Sequence, residues 1–206
     1  MPQTFDQPST IIKPRLLIGE GDEEVFFFGA LLAHLNIDDI QVDKFGGKDR
    51  LPLYLKELPQ RPGFERLVAL GVTRDADDDC ATAFAKICGA LNESGFGFPS
   101  APGQIQSGLM HVGVFVMPDN QRLGMLEDLC LDSFAADPAL SCVDEFFRCV
   151  DKVTARKPRI LAKARVQTWL ASHPETDNRL GLAAQKRYWP WNSPAFQPLI
   201  DFLRAL

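Results

Sequence analysis

Residues 66–79 read RLVALGVTRDADDD, and this stretch decides the fold. Arg66–Thr73 is apolar enough to be a central strand, buried on both faces. Directly after it come Asp75, Asp77, Asp78 and Asp79. In open α/β sheets the ligand crevice lies outside the carboxyl ends of the strands. Asp75-Ala76-Asp77 therefore places two carboxylates at that crevice, and alternate residues project the same way while the chain stays extended.

Working outward, the same pattern recurs on both sides. Arg15–Ile18, between Pro14 and Gly19, reads as a short buried strand that runs into Glu20-Gly21-Asp22-Glu23-Glu24. Gly21 permits a tight turn from strand into helix. Asp22–Leu35 follows as a helix with acid in its first turn, where the macrodipole favours it. Glu24 then sits one turn in and can point back towards Glu20. Ile40–Phe45 is a further strand, and Gly46-Gly47 punctuates it. Lys48–Leu58 reads as a helix with Pro52 in its first turn. Asp78–Asn92 reads as a helix with Ala83, Ile87, Ala90 and Leu91 inward, and His111–Met117 as a fourth strand. Apolar strands separated by helices predict a parallel sheet with helices on both faces. The Gly-, Pro- and Ser-rich stretch Gly95–Gly108 reads as a mobile loop near the site.

After Pro118 only helical spacing remains, over Leu123–Leu131, Ala139–Val153, Arg159–Ser172 and Pro194–Leu206. A separate domain and a cap on the sheet both fit. Short helices with apolar faces favour the cap, which gives an α/β domain over 1–130 and a helical carboxyl-terminal extension over 131–206 on the same core. The length of 206 residues, 46% of them hydrophobic, suits one core with an appendage. Trp189, Trp191 and Phe196 could stack on bases but read better as anchors of the last helix. The Phe26–Phe28 run reads as core that could include a dimer contact.

The composition excludes several classes. No apolar run approaches the roughly 20 residues that span a bilayer, and MPQTFDQPST (1–10) lacks the features of a signal peptide. A cytoplasmic location is expected. Cys80, Cys88, Cys130, Cys142 and Cys149 contain no C-x-x-C pair and share no ligand spacing with the histidines, so they read as reduced, mostly buried thiols rather than a zinc site. The net charge of −5 is unevenly spread. Six basic residues and no acidic one fall between Lys152 and Arg165. A metal-loaded acidic centre beside such a flank can bind a polyanion. Arg156, Lys157 and Arg159 are the candidate nucleic-acid contacts, and Arg156, Arg159 and Lys163 share one face if a helix extends back past Pro158. Gly46-Gly47-Lys48 lacks the G-x-x-x-x-G-K-[ST] pattern of a P-loop, although such a turn can present N–H groups to an anion.

Glu20, Asp75 and Asp77 at strand ends, with Glu127 on a helix soon after the fourth strand, would repel one another unless protonated or bound to a cation. Oxygen ligands at this density suit Mg²⁺ or Mn²⁺. The bland alternatives are an N-cap for Asp77-Asp78-Asp79 and solvated surface for Glu127 and for the basic face.

The strand ending in Glu20-Gly21 with Glu24 following, and the second strand ending in Asp75-x-Asp77, resemble the signature of Toprim domains. These occur in topoisomerases, bacterial primases, small RNA-maturing nucleases and OLD-family nucleases. The segment Pro118-Asp119-Asn120…Gly124-Met125-Leu126-Glu127 resembles the variant in small Toprim-like proteins related to the OLD nucleases. The resemblance covers 15–130 and extends more loosely into the helical tail. It implies a metal-dependent strand-cleaving centre, with Glu20 and Glu24 on one ion, Asp77 and Glu127 on another, and Asp75 between. It also implies a lysine from the carboxyl-terminal segment that stabilises phosphate charge, for which Lys163 is the candidate. Asp22 and Asp79 are candidate outer ligands, and the pattern's glycine soon after Asp77 is missing. A nuclease acting on DNA or RNA is the leading expectation. The alternative is a non-catalytic metal- or nucleic-acid-binding subunit beside a partner ATPase, for instance in phage defence.

Overall fold

The computed structural model describes residues 10–175 and 179–206. The amino-terminal reading of 1–9 lies outside the described residues. The order is β1 (Arg15–Gly19), α1 (Asp22–Leu35), β2 (Ile40–Lys44), α2 (Leu51–Glu57), β3 (Ala69–Asp75), α3 (Cys80–Glu93), β4 (Ile105–Gln106), β5 (His111–Met117) and five helices. These are α4 (Leu126–Ser133), α5 (Pro138–Thr154), α6 (Leu161–Ala171), α7 (Leu180–Gln185) and α8 (Gln197–Ala205).

The sheet order is β2-β1-β3-β5-β4. The first four strands are parallel, and β4 pairs antiparallel with β5. Strand alternation sorts the core into two layers. Leu16, Ile18, Leu70, Val72, Val112, Val114 and Val116 face α2 and α3. Leu17, Ala69, Phe115 and Met117 face the layer that α1 shares with the carboxyl-terminal helices. This is the α/β arrangement expected from the sequence, a parallel sheet with helices on both faces, with an antiparallel edge strand added.

Two glycines show how closely the tail lies on the sheet. A Cβ at Gly71 would fall 2.7 Å from Leu206 Cδ2, and one at Gly113 would fall 2.8 Å from Phe202 Cε2. A Cβ at either position would force Leu206, Leu17 or Phe202 to shift. Trp169, Trp189 and Phe134 stack behind it, with ring centroids 4.0–5.9 Å apart, and Trp191 meets Phe27 edge-on. Trp189, Trp191 and Phe196 are all buried.

Several expectations change. The Gly95–Gly108 stretch holds β4 at the far edge of the sheet and does not line the acidic cavity described below. The helix read from Lys48 begins at Leu51, with Pro52 in its first turn. The basic stripe does not form one helical face. Pro158 disfavours helical backbone in the residue before it, α5 ends with Ala155 left-handed at φ 55°, and α6 starts only at Leu161. The cysteines are less buried than expected, since Cys142 and Cys149 are exposed. Helix α7 has no signal legible in the sequence. It is held from outside, because Gly181 packs on Glu23 and Phe26 of α1 and its N–H donates to Glu23 Oε2 at 2.5 Å. No described helix is long and apolar enough to cross a membrane.

Candidate metal centre

The carboxyl ends of β1 and β3 open into a cavity of about 270 Å³. Its wall holds Glu20, Asp22, Glu23, Glu24, Asp75, Asp77 and Glu127, against the cations Lys48 and Lys163. Seven carboxylates facing two lysines make a strongly negative concavity.

Local geometry builds this wall. Gly19 lets α1 fold over the end of β1, since a Cβ there would meet Glu24 Cβ at 2.7 Å. Glu24 turns back on the strand, as expected, and its Oε2 accepts the Gly21 N–H at 3.0 Å. The Glu20 carbonyl accepts N–H bonds from Gly46 and Gly47 at 2.9 and 3.2 Å. Those two amides are thus spent on the neighbouring strand rather than offered to an anion, and the turn they fix delivers Lys48 to the cavity mouth. The buried Thr73 hydroxyl donates to the Ile18 carbonyl and ties β3 to β1.

Asp75 closes β3, and its Oδ1 accepts the Leu126 N–H at 3.0 Å. Asp77 takes the left-handed conformation itself, at φ 53°. This explains how the turn forms without the missing glycine, because aspartate tolerates that region better than most residues. Its N–H and C=O pair with those of Gly124, both at 2.9 Å. The bridge anchors the start of α4 and so sets Glu127 opposite Asp75.

The electrostatics follow from this crowding. Burial, with Glu127 and Glu24 nearby, raises the Asp75 carboxyl well above its ordinary value. Burial and then Glu24 raise Glu20, while Lys48 and Arg74 oppose. Burial raises Glu127 against the pull of Lys163. Lys48 Nζ lies 2.5 Å from Asp77 Oδ2, which raises the lysine. Lys163 Nζ lies 3.7 Å from Glu127 Oε1, across the cavity on α6.

The structure therefore gathers Glu20, Glu24, Asp75, Asp77, Glu127 and Lys163 around one space. It adds Lys48, whose role was hidden because Gly46-Gly47-Lys48 reads as a turn. Asp79 is drawn elsewhere, since it caps α3 and accepts the N–H groups of Ala81 and Thr82. Asp22 lines the cavity and pairs with Lys44 at 2.6 Å. Arg156 and Lys157 border a neighbouring groove of about 510 Å³ with Phe147, Arg148, Asp144, Asp151, Pro158 and Leu161, and Lys157 lies 3.3 Å from Asp151. Arg159 is exposed beside them, and the next residue, Ile160, reaches the acidic cavity.

The donor set is all carboxylate oxygen, which fits a hard divalent cation. As the side chains stand, no three His, Cys, Asp or Glu among the described residues converge to hold one ion. Lysines occupy Asp77 and Glu127 instead.

Residues 14–206 match the family described as "Protein of unknown function (DUF3226)". No curated protein matches the chain. Structures of the C-terminal region of the Xanthomonas campestris pv. campestris OLD protein are similar to it. The one phased with iodine is 14% identical, with a TM-score of 0.46, over 94% of this chain and 95% of that one. Those phased with platinum and mercury are 18% identical, with TM-scores of 0.39, over 92% of this chain and 83% and 85% of theirs.

Proposed function

The chain belongs to the DUF3226 family, and we propose that it is a Mg²⁺- or Mn²⁺-dependent phosphodiesterase acting on DNA or RNA. One observation carries this reading. Among the described residues, Asp75 is half-buried near Glu24 and Glu127, with only a backbone amide as its hydrogen-bond partner. A largely desolvated carboxylate among carboxylates is costly unless it is protonated or a cation neutralises it. Bound divalent ions would supply Lewis acidity and an activated water. Glu20 and Glu24 would hold one ion, Asp77 and Glu127 the other, and Asp75 would lie between. Lys163 would stabilise charge on the phosphate, and Arg156, Lys157 and Arg159 would hold the backbone of the nucleic acid. Nicking of supercoiled plasmid with Mn²⁺, run beside the Glu20→Gln/Asp77→Asn double variant, tests the proposal. Cleavage confined to the native chain is the expected result, and equal activity in the two preparations would sink it.

A second reading draws on the lysines that already neutralise Asp77 and Glu127. On that reading the chain is a binding subunit that acts beside a partner ATPase. Mn²⁺ titration calorimetry on the lone chain separates the two. Saturable uptake of metal with cleavage favours the enzyme, and uptake without cleavage favours the subunit.

A further inference from the structure

Helix α5 carries two apolar faces, and the described fold covers one of them. Leu140 and Val143 are buried and Phe147 packs against the core. The other face consists of Cys142, Phe146, Cys149 and Val153, all exposed, with Phe146 at 52% and Val153 at 75%. Their spacing of four, three and four residues keeps them in one stripe, the pattern of a coiled-coil seam. A contiguous exposed apolar stripe marks an interaction surface.

We propose that this stripe pairs two copies of the chain through α5, antiparallel about a twofold axis. The charges beside the stripe choose both partner and direction. Glu145 and Lys152 lie seven residues apart on the same flank of the seam. In an antiparallel helix pair that flank meets its own counterpart, so Glu145 of one copy faces Lys152 of the other, twice by symmetry. In a parallel pair the same flank meets the opposite one, which is Val143 and Val150 and offers no charge partner. The antiparallel twofold also layers Cys142 against Val153 and Phe146 against Cys149. A helical surface is thus complementary to itself in charge as well as in apolar spacing. The seam spans eleven residue steps, about 16 Å of helix. That is short, so the dimer is weak and dependent on concentration.

Sedimentation equilibrium of the full chain tests this. A reversible dimer is expected in the micromolar range, filled by about 100 μM. Phe146→Asp should leave a monomer whose thermal melt matches that of the native chain at dilution, where the native dimer has dissociated. Glu145→Lys or Lys152→Glu alone should weaken the dimer about tenfold, and the double swap should restore it. A chain that stays monomeric at about 100 μM would overturn the proposal. So would a dimer that survives Phe146→Asp, or a double swap that restores nothing.

Discussion

The two ends of the acidic cavity are made from different parts of the chain and neutralised to different degrees. At the strand end, Lys48 rides on a turn pinned to Glu20 and sits 2.5 Å from Asp77. At the helical end, Lys163 arrives from α6 and stops 3.7 Å from Glu127. Asp75 lies between them, and neither lysine pairs with it among the described residues. A local turn delivers a close ion pair, whereas tertiary packing of a distant helix delivers a looser one. On the proposed function, the looser lysine is the one that would turn towards a substrate.

The largest effect should come from removing the carboxylate between the two ends. Asp75→Asn keeps an oxygen for the Leu126 N–H and deletes the charge. Metal-dependent cleavage should fall by about 100-fold or more. The metal-free chain should melt higher, by about 1.4 kcal/mol for each tenfold by which burial has strengthened proton binding at this carboxyl. At this size that is roughly 2–4 °C per kcal/mol. The sign follows from proton counting. A raised carboxyl binds more protons in the folded chain than in the unfolded one, so native stability declines as pH rises from the ordinary aspartate value through the raised one. The advantage of the Asp75→Asn variant should therefore be present at neutral pH and vanish near pH 4, about the ordinary aspartate value. Thermal melts across that range check it, and a variant less stable than the native chain at neutral pH would contradict the account of Asp75.

Lys163→Met should lower turnover about tenfold through lost charge at the phosphate, with a smaller change in metal affinity, read by single-turnover cleavage and calorimetry. Lys48→Met should act the other way, binding Mn²⁺ a few-fold tighter because a competing cation has left Asp77. Its thermal stability should shift by about 0.5 kcal/mol or less, as both partners are partly exposed. If the two variants behave alike, the contrast between the ends of the cavity collapses.

The strand half of this site is legible in the sequence because its logic is local. An apolar run followed by acid places Glu20, Asp75 and Asp77 at sheet ends without knowledge of the rest. The helical half is not. Glu127 faces the cavity because of the Asp77–Gly124 bridge, and α7 exists because Glu23 and Phe26 receive Gly181. Both causes join residues far apart in the chain. The basic stripe misleads for a related reason: its charge periodicity runs on past Pro158 although the helical backbone does not. Asp79 misleads likewise, since its capping bonds become visible only when α3 is seen to start at Cys80.

The paired amides of Asp77 and Gly124 close a ring through β3, β5 and the turn that leads into α4. A residue inserted after Asp75 would shift Asp77 out of register with Gly124, and one inserted between Gly124 and Glu127 would displace Glu127 from the cavity. Chains that keep this fold should therefore vary in length elsewhere, for example in the stretch before β4, and hold the two turns at the mouth of the cavity to a constant count.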